Sequence, residues 1–170
     1  MSRAYQRVTD TIFERLDLRD QLFDRVFYED VRWWGSRFTD CNWNDCKFRR
    51  TSFSKGTEFS RCKFEKCRFW AQHTYLGGPS RFEDCQFIEC SFVNVQLWNT
   101  EFIKCRLTGV FQNLVFYGPE APEGWQTVLR DVDLCGVRME ETDFRTGIDL
   151  STTRLPDASN WVSGTVWGKS

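Results

Sequence analysis

The most constraining feature of this 170-residue sequence is a period of five. Large apolar residues recur at every fifth position in long runs, and the period slips and then resumes several times. The first run comprises Phe13, Leu18, Phe23, Tyr28, Trp33, Phe38, Trp43, Phe48 and Phe53, and later runs begin at Phe59, Phe82 and Leu134. A period of five fits neither an α-helix, which repeats every 3.6 residues, nor a flat strand, which repeats every two. It therefore predicts a repeat architecture.

A small residue usually stands two positions before each large apolar one. The pentads CKFRR (46–50), CKFEK (62–66), CQFIE (85–89) and CRLTG (105–109) show this pattern. They resemble the pentads of the pentapeptide-repeat family, and the resemblance runs from residue 16 to residue 155. It implies an all-β fold, a right-handed quadrilateral β-helix that forms a solenoid with four pentads in each coil.

The two ends of the chain lie outside this repeat. Residues 1–15 are expected to form an N-terminal cap or a first partial coil. Residues 156–170 are expected to form a C-terminal cap or a dimerisation segment, because the end of a solenoid needs a cover. The apolar residues available for this role are Trp161, Val162, Val166 and Trp167. The family's gyrase-binding members pair through their C-terminal ends, so the resemblance implies a homodimer through this end.

Assigning the pentads in rotation to four faces tests the resemblance within the sequence. Cysteines then stack on cysteines and hydroxyl residues on hydroxyl residues, in about seven coils. The predicted core includes Phe48, Phe64, Phe69, Phe87, Phe92 and Phe102 at the large positions, with Cys41, Cys46, Cys62, Cys67, Cys85, Cys90 and Cys105 at the small ones. The same assignment places Val110 and Val115 at small inward positions of the second and third faces.

The interruptions of the period fall between the third and fourth faces. They are extra residues within 54–58 and 145–149 and two loops, near 70–80 and 115–126. One reading is neutral drift at a permissive corner, and the other is a partner-binding edge, because binding residues collect on loops held by rigid scaffolds. The predicted partner-binding residues are Trp34, Trp70, His73, Tyr75, Leu76, Trp98, Tyr117, Glu120, Glu123 and Trp125.

Three of these residues, Trp34, Trp70 and Trp98, directly follow core positions and should point outward. Exposed tryptophans are enriched at interfaces. The alternative is that the loops fold down and cover them.

Charge is uneven along the chain although the net charge is −1. Residues 46–70 carry a local charge of +6, and residues 111–170 carry −4. No nucleic-acid-binding motif accompanies the basic stretch, so direct nucleic-acid binding is not expected. The first residues lack the apolar segment of a secretion signal, and no run reaches transmembrane length. We therefore expect a cytoplasmic protein with reduced cysteines.

No pattern in the sequence indicates catalysis or a cofactor. The single histidine, His73, has no recognisable nucleophile beside it, and no phosphate-binding glycine motif occurs. The cysteines are not arranged as CxxC pairs, and stacked columns do not provide the tetrahedral geometry that zinc requires. We expect neither an enzyme, nor a metal site, nor a bound cofactor.

The Phe- and Cys-rich pentads, with a shorter loop followed by a longer one, are closest in style to the quinolone-resistance (Qnr/MfpA-like) members of the family. Those relatives resemble duplex DNA in shape and charge. The resemblance implies a protein that binds DNA gyrase or topoisomerase IV and protects it from poisons such as quinolones. The basic stretch 46–70 departs from the acidic surface of a DNA mimic. The alternative is a scaffold or effector that binds an unrelated protein through the loop-bearing edge.

Overall fold

The computed structural model describes residues 4–75, 78–122, 124–145, 147–161 and 166–167. Within these ranges the regular elements are β-strands and one turn of 3-10 helix, Ala158–Asn160. The strands pair in parallel and wind into an all-β solenoid, which confirms the predicted fold class. No helix in the described ranges has the length and apolarity needed to cross a membrane.

Short strands build the first three coils, and longer strands that continue around corners build the later ones. The short strands are β1 (Gln6–Thr9), β2 (Ile12–Glu14), β3 (Asp17–Arg19), β4 (Leu22–Asp24), β5 (Val26–Glu29), β6 (Arg32–Trp34), β7 (Arg37–Thr39), β8 (Asn42–Asn44), β9 (Lys47–Arg49), β10 (Ser52–Ser54), β11 (Thr57–Ser60) and β12 (Lys63–Glu65). They are followed by β13 (Arg68–Tyr75), β14 (Ser80–Glu83), β15 (Gln86–Leu97), β16 (Thr100–Ile103), β17 (Arg106–Phe116), β18 (Val128–Arg130), β19 (Asp133–Phe144) and β20 (Val166–Trp167).

The strand registers trace the faces of the solenoid. On the first face, the aligned core positions are Phe23, Trp43, Phe64, Phe87 and Leu107. On the fourth face they are Leu18, Phe38, Phe59, Phe82, Phe102 and Leu129. Each core residue therefore lies directly above the one a coil earlier, as the rotation of pentads predicts for these two faces.

The solenoid has about five regular turns, not the seven that the sequence predicts. The first layer and the last layer of the predicted seven are incomplete. In the first layer the core side chains of Val8, Phe13, Leu18 and Phe23 are only partly buried. In the last layer the described chain after β19 pairs only through the isolated bridges Asp133–Arg154 and Met139–Trp161 and through the two-residue strand β20. An end layer has a neighbour on one side only, so its core positions cannot be covered on both sides.

Stacked phenylalanine rings fill the interior. Phe64 and Phe87, one coil apart, have centroids 4.7 Å apart and planes 4° from parallel, while Phe59 and Phe64 within a coil meet edge to face at 5.8 Å. Both arrangements are favoured by the ring quadrupole. Every predicted core phenylalanine and cysteine is buried.

Most pentads end at a corner residue in the left-handed backbone region. Asp40, Arg50 and Lys104, for example, have φ values of 53°, 49° and 51°. This conformation is unfavourable for residues with a Cβ atom, by about 1 kcal/mol or more. The corners persist because the stacked side chains and the inter-coil hydrogen bonds on either side hold them in place.

The register of residues 108–117 corrects the sequence prediction. Gly109, Phe111, Leu114 and Phe116 align with Cys90, Phe92, Val95 and Leu97, so these residues occupy the inward positions. Val110 and Val115 were predicted to point inward, and both are instead partly exposed. The corner after Leu107 is one residue short, which shifts the following pentads. A Cβ atom on Gly109 would lie 1.9 Å from the Cys90 carbonyl oxygen, so only glycine fits this contracted corner.

The two ends of the solenoid are built differently. At the N-terminal end, β1 and β2 already belong to a coil, pairing with β5 and β6. At the C-terminal end, Trp161 forms a bridge with Met139, and β20 pairs with the segment Asp143–Phe144 of β19. Val162 and the side chains of Val166 and Trp167 lie outside the described residues.

Candidate functional site

The candidate site is the vertical edge between the third and fourth faces, called here the loop edge and formed by residues 54–57, 78–80, 97–99, 117–127 and 145–148. Its successive coils are hydrogen-bonded to one another. The Gly56 amide donates to the Pro79 carbonyl at 2.6 Å, and the Asn99 amide donates to the Trp125 carbonyl at 2.8 Å. Extra residues are accommodated here by positive φ values, +80° at Gly56 and +81° at Gly147. The loop edge is thus a fixed part of the scaffold.

The second loop leaves the coil after Tyr117 and returns at Thr127. The Thr127 amide donates to the Tyr117 carbonyl at 2.7 Å, and the Thr127 hydroxyl donates to the Leu97 carbonyl at 2.6 Å, so the base of the loop is closed. Within the loop, the Trp125 amide donates to the Pro122 carbonyl at 2.9 Å. Because the two ends of the loop meet, the coil continues directly from Tyr117 to Thr127, and the second loop is an insertion into it.

An aromatic cluster formed by Trp98, Tyr117 and Trp125 lies where the second loop meets the third face. Trp125 stacks on Trp98 at 4.6 Å and lies 6.5 Å from Tyr117, edge to face. Trp125 remains 38% exposed. The second loop therefore folds down over Trp98, as the alternative reading expected, and presents a different tryptophan on its own surface. Glu120 is exposed in the same loop, and Glu123 lies outside the described residues.

The first break is divided between two corners. Trp70 aligns with Val93 and Thr74 with Val95, so two extra residues form a bulge inside β13 at the corner between the second and third faces. One further extra residue falls at the loop edge, before Ser80. The backbone of His73 and Tyr75 lies in β13, whereas their side chains and the whole of Leu76 lie outside the described residues.

The structure does not bring the three outward tryptophans together. Trp34 lies near the loop edge, with the Lys55 ammonium 3.4 Å from its ring centre. Trp70 lies on the second face, stacked on Phe27 at 5.7 Å with the Arg68 guanidinium 5.0 Å from its ring centre. Trp98 belongs to the aromatic cluster. All three are partly buried by these contacts.

An uncharged panel adjoins the loop edge. Residues 90–100 and 108–119 contain no Asp, Glu, Lys or Arg, and they form the second and third faces of two neighbouring coils through β15 and β17. Its outward side chains include partly buried Val93, Val110 and Val115, and the Asn113 amide donates to Asn94 at 2.8 Å. Sequence reasoning missed this panel. The signal that could have found it is a pair of uncharged segments about twenty residues apart, which is the length of one coil.

Outward charges alternate in sign up the fourth face. The strand registers align Asp17, Arg37, Glu58, Arg81 and Glu101 in one column. Arg37 pairs with Glu58 at 3.3 Å, and Arg81 pairs with Glu101 at 3.4 Å. Like charges stacked in this register would repel, so alternation stabilises the pairing. The described residues of this face carry no continuous acidic stripe.

Half of the eight basic residues in the stretch 46–70 form ion pairs with acidic residues. Arg49 and Arg50 contact Glu29 at 3.0 and 3.1 Å, and Arg61 contacts Asp40 at 2.7 Å. The local charge of +6 counted along the sequence is therefore partly offset by Glu29, Asp30 and Asp40, one coil earlier.

Removing two of these arginines should weaken the acid sensitivity of folding. Hydrogen bonds from Arg50 and Arg61 lower the pKa of Asp30 and Asp40 below the ordinary value near 3.9. A lowered folded-state pKa gives stability above about pH 4 that is lost as the pH falls further. We expect the difference in melting temperature between pH 7 and pH 3 to be smaller in Arg50→Ala/Arg61→Ala than in the wild type. Circular dichroism measures it, and Lys104→Ala is the control at a corner of the same backbone conformation. An unchanged difference in the double variant would contradict the pairing.

Seven of the eight cysteines are buried structural groups, and Cys135 is partly exposed. The Cys67 thiol lies 3.4 Å from the Trp43 carbonyl and 3.5 Å from the Glu65 carbonyl, and other column cysteines repeat this geometry. Burial raises the pKa of the Cys41 and Cys67 thiols, which keeps them protonated and poorly nucleophilic. Among the described residues, no three His, Cys, Asp or Glu side chains are grouped to hold a metal ion.

These features define a class of protein: a rigid β-solenoid of stacked pentads with a loop-bearing edge. The Pentapeptide repeats family matches residues 35–70 and 80–111 as eight copies. The matched segments cover less than half of the chain, and over them the chain is similar to the pentapeptide-repeat family.

Comparisons with known proteins gave matches among solved structures but none among curated proteins. The chain is similar to QnrB1, a plasmid-mediated fluoroquinolone resistance protein, with 16% identity, 91% of this chain and 74% of that chain covered, and a TM-score of 0.48. It is also similar to HetL, involved in heterocyst differentiation regulation in the cyanobacterium Nostoc, with 10% identity, coverage of 90% and 88%, and a TM-score of 0.30. The pentapeptide-repeat protein Rfr23 of the cyanobacterium Cyanothece matches with 14% identity, coverage of 95% and 90%, and a TM-score of 0.32.

Proposed function

We propose that this chain is a non-enzymatic binding protein that engages DNA gyrase or topoisomerase IV through the loop edge and protects the enzyme from inhibitors such as quinolones. The observation that carries the binding role is the aromatic cluster where the closed second loop packs on the third face. Aromatic side chains on a rigid scaffold bind with little loss of conformational entropy, which suits them to an interface. The choice of a topoisomerase rests on the resemblance of the pentads and loops to the quinolone-resistance proteins.

Contact through the loops fits the surface charge better than mimicry of DNA. A DNA mimic needs a long acidic surface, whereas the fourth face alternates Asp17, Arg37, Glu58, Arg81 and Glu101. A DNA mimic binds the surface of the enzyme that normally contacts the phosphate backbone of DNA. The uncharged panel beside the loop edge does not complement such a basic surface. We therefore assign the contact to the second loop, the aromatic cluster and the adjoining panel.

The uncharged panel favours a second candidate function. A pentapeptide-repeat scaffold or effector would bind an unrelated protein through the loop edge, since an uncharged panel selects against strongly charged partners of either sign.

A supercoiling assay separates the two candidates. Gyrase is incubated with relaxed plasmid and a fluoroquinolone, with increasing amounts of the protein. We expect micromolar protein to restore supercoiling in the presence of the drug. If micromolar protein has no effect, so that supercoiling is neither restored nor inhibited, the topoisomerase proposal is rejected and the scaffold role remains.

The loop contribution can be tested by shortening both irregular segments. Deleting Gln72 and His73 reduces the spacing from Trp70 to Thr74 to that of Val93 to Val95. Deleting residues 119–125 joins Gly118 to Gln126 where the Tyr117 carbonyl and the Thr127 amide already meet at 2.7 Å. We expect the double deletion to remain folded and to melt a few degrees below the wild type, because the Asn99–Trp125 hydrogen bond and the Trp98–Trp125 stacking are removed. We expect it to lose partner binding. The single change Trp125→Ala should weaken binding by more than tenfold, because central interface aromatics carry more than 1.4 kcal/mol.

A further inference from the structure

Among the described residues, no strand lies beyond the first coil at the N-terminal end of the solenoid, whereas a bridge and a short strand follow the last coil at the C-terminal end. At the C-terminal end, Trp161 and β20 lie over Met139 and Phe144 of the last long strand. At the N-terminal end, the first coil (residues 6–25) pairs with the second coil on its upper side. No described residue pairs with β1, β2, β3 or β4 on the lower side.

The open end is apolar. A cavity of about 220 Å³ opens there, with Val8, Phe13, Leu18 and Phe23 of the first coil and Tyr28 and Trp33 of the second among its lining residues. Ile12 and Leu22, on the sides of the same coil, are 46% and 69% exposed. Core residues and strongly exposed apolar side chains are thus concentrated in one layer, which is typical of an interaction surface.

The backbone of the first coil limits what can cover this end. Its upper side is paired, for example through the Arg15 amide with the Trp34 carbonyl at 2.9 Å and the Thr11 carbonyl with the Arg32 amide at 2.9 Å. On its lower side, the edges of β1, β2, β3 and β4 surround the apolar side chains that line the cavity. Unpaired edges seek further strands. A partner that pairs all four sides at once must itself be a four-sided solenoid end of the same dimensions.

We propose that the N-terminal ends of two copies of this chain stack coaxially about a two-fold axis. The axis makes the edge strands antiparallel across the junction, and the interface is self-complementary. Around Leu18, β3 of one copy then pairs with β3 of the other, and Asp17 of each copy faces Arg19 of the other. Residues 6–25 carry four basic and five acidic side chains, so the two rims do not repel each other strongly. This junction differs from a dimer through the C-terminal segment.

Cysteine cross-linking tests the geometry with the full chain. Leu18→Cys places two thiols beside the two-fold axis, and Ser151→Cys places an exposed thiol in the last layer as the matched control. Under mild oxidation we expect a disulfide-linked dimer from Leu18→Cys and only the wild-type background from Ser151→Cys. A dimer that is cross-linked through Ser151→Cys instead would overturn the proposal.

Sedimentation velocity tests the association itself. We expect the wild type to dimerise in the micromolar range, because a single solenoid end is a small interface. Leu18→Glu should raise the dissociation constant of the dimer at least tenfold, and circular dichroism should show that this variant keeps the β-solenoid. The control Trp125→Ala should leave the association unchanged. A wild-type protein that is still monomeric at roughly 100 μM would also overturn the proposal.

Discussion

Gly109→Ala is expected to destabilise the fold by at least about 3 kcal/mol. The new Cβ atom would lie 1.9 Å from the Cys90 carbonyl oxygen and 2.7 Å from the Cys90 nitrogen. Both atoms belong to the backbone of the coil below, so relief requires the two coils to separate. The φ angle of +120° adds strain for any residue with a side chain. Guanidinium unfolding followed by circular dichroism measures the loss.

Gly124→Ala is the matched control. Gly124 also has a positive φ, +81°, but no atom lies within 4 Å of its virtual Cβ. Its substitution should cost about 1 kcal/mol, from backbone strain alone. Equal losses in the two variants would show that the corner after Leu107 is not contracted as described.

Phe87→Ala is expected to cost about 3–5 kcal/mol, the range for a fully buried phenylalanine. Phe87 is 0% exposed, stacks on Phe64 at 4.7 Å and meets Phe82, Phe92 and Phe102 at 5.5–6.1 Å. The cavity would lie in the middle of the stack, where neighbours above and below cannot collapse into it. A repeat protein is stabilised by such nearest-neighbour contacts, so the unfolding transition should also broaden or split.

Phe23→Ala removes the same side chain from the first layer of the same face. Phe23 is only partly buried and stacks on Trp43 at 4.9 Å. Its loss should cost about half as much, because water already reaches one side of the ring. Similar costs at Phe23 and Phe87 would contradict the description of the first layer as open.

The fold was predictable because one rule acts at every pentad. A small and a large inward residue two positions apart identify Cys46 and Phe48, or Cys85 and Phe87, without knowledge of distant contacts. The rule failed where two apolar residues compete. Val110 and Phe111 are adjacent, as are Val115 and Phe116, and a fixed period of five selects the wrong member of each pair. The missing corner residue is revealed only by the close approach of Gly109 to Cys90.

The breaks in the period predicted the corner of the second loop, but only part of the first break. Two of the three extra residues of the first break lie in β13, at the corner between the second and third faces. The packing of Trp125 on Trp98 depends on how the second loop folds, and the period says nothing about that. The charge of residues 46–70 was misleading for a related reason: Arg61 meets Asp40 about twenty residues away, so charges must be compared one coil apart.

We propose a division of labour in which the regular positions hold the solenoid together and the loop edge binds the partner. The most direct measurement compares wild type with the double-deletion variant in the gyrase supercoiling assay with a fluoroquinolone, alongside their melting curves. We expect the two melting temperatures to lie within a few degrees of each other, with protection of gyrase by the wild type and none by the variant. Full protection by a folded variant that lacks both irregular segments would contradict the proposal.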